Sequence, residues 1–216
     1  MRSSHSYRNG RGGAVITSVI AAAVALTAAA CGSSSAGSRS ASGATHTHHP
    51  MASHSAMPES ATFGSDCGMI PASGMGSLHA MTMDPVVTAA SHSPLLATLA
   101  ADIKMAGLTS EFNSMHALTV FAPSDEAFKM LDASAMSMLH SKAELAKILR
   151  YGVVSGRVTP GELAQGKELK TLEGGTLRAS KMGAVYEVNK AHVICGNVQT
   201  ANATVYIIDK VLIPMH

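Results

Sequence analysis

"LTVFAPSDEAFKML", residues 118–131, passes from an apolar run into a helix-forming run within four residues. Leu118, Val120 and Phe121 read as the end of a buried strand, which Pro123 terminates. Ser124 then stands where a helix N-cap is needed, its hydroxyl able to accept from an orphan backbone N–H of the first turn. Asp125 and Glu126 fall in that turn, where carboxylates meet the positive end of the helix dipole. Phe128 and Leu131 give the helix an apolar side. Ala127 at the third helical position leaves the capping box incomplete. A serine beside two acids also raises a catalytic reading. A nucleophilic serine needs a base and a sharp turn to present it, yet no G-x-S-x-G surrounds Ser124 and only His116 lies nearby. The stretch predicts strand, cap and helix, and no enzyme.

Upstream, the same signals recur. "DPVV" offers Asp84 as N-cap with Pro85 at the first helical position, and "SPLLATLAADIKMAGL" repeats the device with Ser93 and Pro94. Leu95, Leu96, Leu99 and Ile103 share one face, and Gly107 ends the helix. Downstream, "SKAELAKILRY" begins with a capping box from Ser141 to Glu144 and buries Leu145, Ile148 and Leu149. "TPGEL" places Thr159, Pro160 and Glu162 in a second box. Strands follow: "LKTLE" and "TLRAS" flank Gly174-Gly175, "AVYEV" and "AHVI" flank Asn189-Lys190, and "TVYIIDKVLI" runs to the C-terminus. Helices first and antiparallel strands later predict an α+β domain.

The 216-residue chain carries a formal charge of +2, which misdescribes its folded part. Of its 16 basic residues, Arg2, Arg8 and Arg11 precede Cys31, leaving 13 against 14 acidic ones, a net of −1. A near-neutral chain without basic clusters offers nucleic acid little to bind. There is no Trp and only 4% of residues are aromatic, so the core is expected from Leu, Val, Ile, Ala and Met.

Residues 1–30 run from basic and polar to "AVITSVIAAAVALTAAA" (14–30) and stop at Cys31, followed by Gly-Ser. Basic start, apolar middle and small-residue end describe a secretory signal. A small-residue run ending at a Cys resembles a bacterial lipoprotein signal, which implies that Cys31 becomes the lipidated first residue. The usual pattern has Leu three positions earlier, where this chain has Ala28. Simple secretion and a retained anchor are the alternatives; a 17-residue apolar run is at the lower limit for a span. All place the mature chain outside the cytoplasm, where disulfides persist. With Cys31 acylated, Cys67 and Cys195 form an even pair. Their bridge is the expectation, two free thiols the alternative.

Residues 31–60 read as a tether. Positions 32–60 hold nine serines and no Leu, Ile, Val or aromatic residue, too little apolar surface to offset the entropy of ordering. A coil of that length spans on the order of 30 Å. Residues 61–81 form an extension carrying Cys67, and residues 82–216 one domain.

In order and spacing, "TVFAPSDEAF" (119–128), "ILRYGVVSGRV" (148–158), "LKTLEGGTLRAS" (169–180) and "ATVYIIDKVLIP" (203–214) resemble the fasciclin domain family. "DPVVTAAS", "HVICGNVQTANATVYIIDKVLIP" and Cys67 are most similar to the secreted and lipid-anchored fasciclin antigens of mycobacteria and related actinobacteria. The resemblance implies a β-wedge or sandwich with short helices packed at its edge, a Cys67–Cys195 bridge, and adhesion or binding rather than catalysis. The implied partner is a protein or polysaccharide of the cell surface, envelope or host matrix. The membrane is met only through the N-terminal lipid, and no cofactor is implied. Where animal relatives implicated in integrin binding carry Tyr-His, this chain has Tyr151-Gly152, so that contact does not transfer.

Tyr151 is a candidate binding residue, or else a half-buried packing residue with its hydroxyl bonded. Asp209 is the second candidate, or else a locally hydrogen-bonded strand residue. Asn202-Ala203-Thr204 is formally a glycosylation sequon, read here as turn chemistry. His46, His48, His49 and His54 with Met51 and Met57 could take Cu or Zn, the competing function, but a serine-rich coil does not hold ligands at fixed geometry. His79, His92, His116, His140 and His192 show no ligand spacing, so no metal site is expected. The chain holds 14 methionines; Met81, Met83, Met105, Met115, Met130, Met136 and Met138 fall in helix patterns as core filling or, alternatively, as a recruitment surface.

Overall fold

The computed structural model describes residues 61–214; the expected signal, the Cys31 lipidation site and the tether with its histidines lie outside them. Two strands organise the rest. β1 (Leu118–Pro123) and β7 (Ala203–Ile208) lie side by side in parallel, pairing Leu118 with Ala203 through to Pro123 with Ile208. The two stretches richest in family resemblance therefore meet residue for residue. Every residue of both strands is buried. Leu118, Val120, Ala122, Ala203, Val205 and Ile207 face a core shared with the helices, whereas Phe121, Tyr206 and Ile208 face a second core inside the sheet. Strand side chains alternate between faces, and a strand covered on both faces needs the continuous apolar run seen here. The parallel pairing departs from the antiparallel expectation. Residues 124–202 separate the end of β1 from the start of β7, so no hairpin could have announced the pairing.

β2 (Val153–Ser155) pairs antiparallel with β1 on its other edge. β3 (Glu168–Lys170), β4 (Thr176–Met182), β5 (Val185–Val188) and β6 (Ala191–Gln199) form a meander that ends against β7, giving the order β2-β1-β7-β6-β5-β4-β3. A bridge between Val154 and Thr171 brings the two edges together and nearly closes the sheet. In β4 only Leu177 and Ala179 are buried, so this part of the sheet covers the inner core and shows solvent its other face. Both expected hairpins form. Asn189 and Lys190 take φ of 47° and 67°, the left-handed pair that a two-residue turn demands.

The helices cover the β1–β7 face: α1 (Leu78–Met83), α2 (Val86–His92), α3 (Ala97–Ala106), α4 (Thr109–Ser114), α5 (Asp125–Lys129), α6 (Ala133–Leu139) and α7 (Lys142–Tyr151). α8 (Pro160–Ala164) instead sends Leu163 into the inner core. Gly107 ends α3 in the left-handed conformation at φ 77°, as expected. Ser124 accepts from Ala127 N at 3.2 Å, and the Thr159–Glu162 box forms in full.

Three caps differ from the sequence reading. Ser141 makes no side-chain cap, and the Glu144 carboxylate bonds Lys147 at 2.9 Å rather than reaching back to Ser141, so neither half of the box forms. α3 starts at Ala97 rather than after Ser93, since Asp125 N takes the Leu95 carbonyl at 2.9 Å. α2 starts at Val86, with Pro85 rather than Asp84 at the N-cap, and its first amides bond to asparagines far along the chain.

Residues 63–81 pack onto the strands. Phe63 and Gly196 exchange backbone bonds of 3.2 and 2.7 Å. A Cβ at Gly196 would lie 2.3 Å from Phe63 Cζ, so the aromatic ring occupies the space a side chain would take. Cys67 and Cys195 are joined by a disulfide, and Ile70 and Met81 enter the main core.

Candidate functional site

Ser124 and Tyr151 are turned inward, while Asp209 stays partly exposed with a local partner. Ser124 is 3% exposed, with its hydroxyl committed to the cap. Tyr151, at the end of α7, is 5% exposed. Its hydroxyl donates to Thr176 O at 3.2 Å and accepts from Asn189 Nδ2 at 2.9 Å, tying α7 to the start of β4 and to the β5–β6 turn. Asp209 lies just beyond β7. Its carboxylate accepts from His192 N at 2.7 Å and lies 2.8 Å from His192 Nδ1. Tyr151 and Asp209 share no bonding partner, and both have internal ones.

Asn202 does more than the sequon suggested. It is 7% exposed, and its Oδ1 accepts from Val86 N at 2.8 Å while Nδ2 donates to Phe112 O at 2.7 Å and Met115 O at 2.9 Å. One amide thus caps α2 and satisfies carbonyls at the end of α4. Arg157 was also missed. Its guanidinium donates to the carbonyls of Thr200, Ala201 and Ala203 and to Gln199 Oε1, pinning the β6–β7 turn. No local motif marks either residue; their partners lie 42 to 116 positions away.

The core-filling expectation for the methionines holds only in part. Met81 is buried, and Met115 and Met138 are partly so, but Met83, Met105, Met130 and Met136 are exposed, as are Met69, Met75 and Met182. Phe112, Phe121, Phe128, Tyr151 and Tyr206 are buried instead, supplying bulk to the core despite the low aromatic content. Tyr206 donates to Val158 O at 2.7 Å, and burial pushes its phenol far above the usual range.

Two of the exposed methionines, Met105 and Met136, flank a cleft between α3, α5 and α6. Asp102 lines it and is 9% exposed. Burial raises the pKa of its carboxyl. Among the described residues, no group of three His, Cys, Asp or Glu side chains could hold a metal ion, and no helix is long and apolar enough to cross a membrane.

A model of the fasciclin domain matches residues 94–214. The immunogenic protein MPB70 of Mycobacterium bovis is 40% identical over 147 residues, covering 65% of this chain and 75% of that protein. The cell surface glycolipoprotein MPB83 of the same species is 37% identical over 166 residues, covering 73% and 74%. Among solved structures, the domain pair of the insect cell adhesion molecule fasciclin I superposes with a TM-score of 0.54 at 16% identity, covering 62% of this chain and 52% of that one.

Proposed function

Because this chain belongs to the fasciclin domain family, we propose that it is a non-catalytic cell-surface lipoprotein whose folded domain binds a macromolecular partner. The observation that carries this reading is the alignment with a cell surface glycolipoprotein over about three quarters of both chains. In this reading Cys31 is the lipidated residue, residues 31–60 hold the domain off the membrane, and the partner is a protein or polysaccharide of the envelope, another cell surface or the host matrix. The inward commitment of Ser124 and Tyr151, with the Asp209 carboxylate taken up by His192, argues for a binding surface made of other residues. The chain's chemistry is recognition, since its serine with acidic neighbours serves as a cap.

The test immobilises residues 32–216 on beads and offers solubilised envelope and matrix components, with and without chelator. A macromolecule captured above an unrelated control protein, chelator or not, is the expected result. Capture no better than the control across all sources would sink the reading. Labelled fatty acid incorporated by the full chain and lost in Cys31→Ser tests the anchor separately.

A further inference from the structure

Asp102 sits on α3 with nine-tenths of its surface buried, lining the cleft that α3 forms with α5 and α6. Its carboxylate has neither a hydrogen-bond nor an ion-pair partner among the described residues. Since no fully buried side-chain oxygen among the described residues lacks a partner, its oxygens still reach solvent through the cleft and stay open to an incoming donor. The neighbouring charges do not supply a partner. Lys129 reaches the cleft, but its ammonium is 2.7 Å from Glu126. Asp125 adds a second carboxylate, with Oδ1 accepting from Thr98 N. His140 also lines the cleft, but the histidine ion pairs among the described residues are His92 with Asp84 and His192 with Asp209. Beside these polar groups the cleft has an apolar side: Met105 is 59% exposed, Met136 39%, and Phe128 and Leu139 lie deeper.

We propose that this cleft receives a lysine or arginine side chain of a partner polypeptide, with the cationic head on Asp102 and the aliphatic stem along Met105 and Met136. The proposal rests on the partner-binding reading and names the partner's chemistry. Lysine and arginine are apolar along the stem and charged at the tip, matching thioether side chains beside an unpaired carboxylate. Thioether side chains adapt to whichever stem arrives. An exposed cleft with methionines at its edges suits one side chain of a larger interface better than a free small molecule, which needs enclosure on most sides. The raised pKa of Asp102 agrees, since a bound cation would restore what burial takes from the carboxylate.

The test follows ¹³C-methyl methionine NMR signals of the full chain in detergent while Nα-acetyl-lysine methylamide is added. Its norleucine counterpart, which keeps the stem without the charge, is the control. Saturable shifts of the Met105 and Met136 methyls are expected with the lysine probe. Binding weakened about tenfold or more is expected with norleucine, and with the lysine probe on Asp102→Asn. Equal response to both probes would overturn the proposal, as would Asp102→Asn binding like wild type. Cu(I) moving both methyls while the lysine probe does not would reassign the cleft to a soft metal and also overturn it. A macromolecule captured equally by wild type and Asp102→Asn would leave the partner-binding reading standing and remove the cleft from it.

Discussion

Asp125 caps a helix to which it does not belong. Its Oδ1 accepts from Thr98 N at 2.8 Å in the first turn of α3, while Ser124, one residue before, caps α5 by accepting from Ala127 N. Two adjacent side chains thus fix two helices against the end of β1. Ser124→Ala and Asp125→Ala should each cost about 1 kcal/mol in urea unfolding. Asp125→Asn keeps an acceptor oxygen and should cost less than Asp125→Ala. Equal loss from both Asp125 substitutions would show that the cap is not what matters there.

Asn202 carries a larger share. Asn202→Ala leaves the Val86 amide and the Phe112 and Met115 carbonyls without their partner, each worth on the order of 1 kcal/mol or more when buried. Asn202→Asp should be worse still, since a carboxylate would face carbonyls that need a donor. Chemical denaturation checks the order: wild type above Ala above Asp at pH 7.

Arg150 grips Glu111 with two bonds of 2.9 and 2.7 Å, linking α7 to α4. The Arg150 hydrogen bond lowers the Glu111 pKa. Folded-state lowering means that the native state binds fewer protons than the unfolded chain, so stability is present above the ordinary value of 4.5 and is lost as pH falls through the lowered one. Both side chains are more than a third exposed, so a double-mutant cycle at pH 7 should return no more than about 1 kcal/mol. The same cycle at pH 2 to 3 should return clearly less.

Asp102 has the opposite sign. Burial raises its folded pKa, so the native state holds the proton more tightly and stability falls as pH rises from the ordinary 3.8 through the raised value. Asp102→Asn should therefore melt above wild type at pH 7, with the difference shrinking toward zero below the ordinary value. A lower melting temperature at pH 7 would contradict the unpaired carboxylate.

The Cys67–Cys195 disulfide encloses a sequence separation of 128 residues. The chain-entropy model gives such a loop about 5 kcal/mol, an upper expectation. Cys67→Ser with Cys195→Ser should lower stability by several kcal/mol in denaturant titration. A loss below about 1 kcal/mol would place the stabilisation in the Phe63–Gly196 pairing instead.

Local chemistry was legible in the sequence: the Ser124 cap, the Thr159–Glu162 box, Gly107 and both hairpin turns required only neighbouring residues. Long-range events were not. The parallel β1–β7 pairing, the cap that Asp125 gives α3 and the bonds of Asn202 join distant residues, and nothing in a local pattern distinguishes them from ordinary turns. Methionine placement held only in part, for a physical reason: the helices turn Met105, Met130 and Met136 outward while a few aromatic rings fill the core. Asp102 lay within a helical "AADIK" with no sign that its surroundings would bury it.

Whether the folded domain, rather than the tether, holds the partner is tested most directly by competition. The partner captured by residues 32–216 is bound in the presence of excess soluble residues 61–216 or excess peptide 32–60. The account predicts that the folded domain displaces the partner fully, with or without chelator, while the peptide does not. Displacement by the peptide alone would contradict it and move recognition into the histidine-bearing tether.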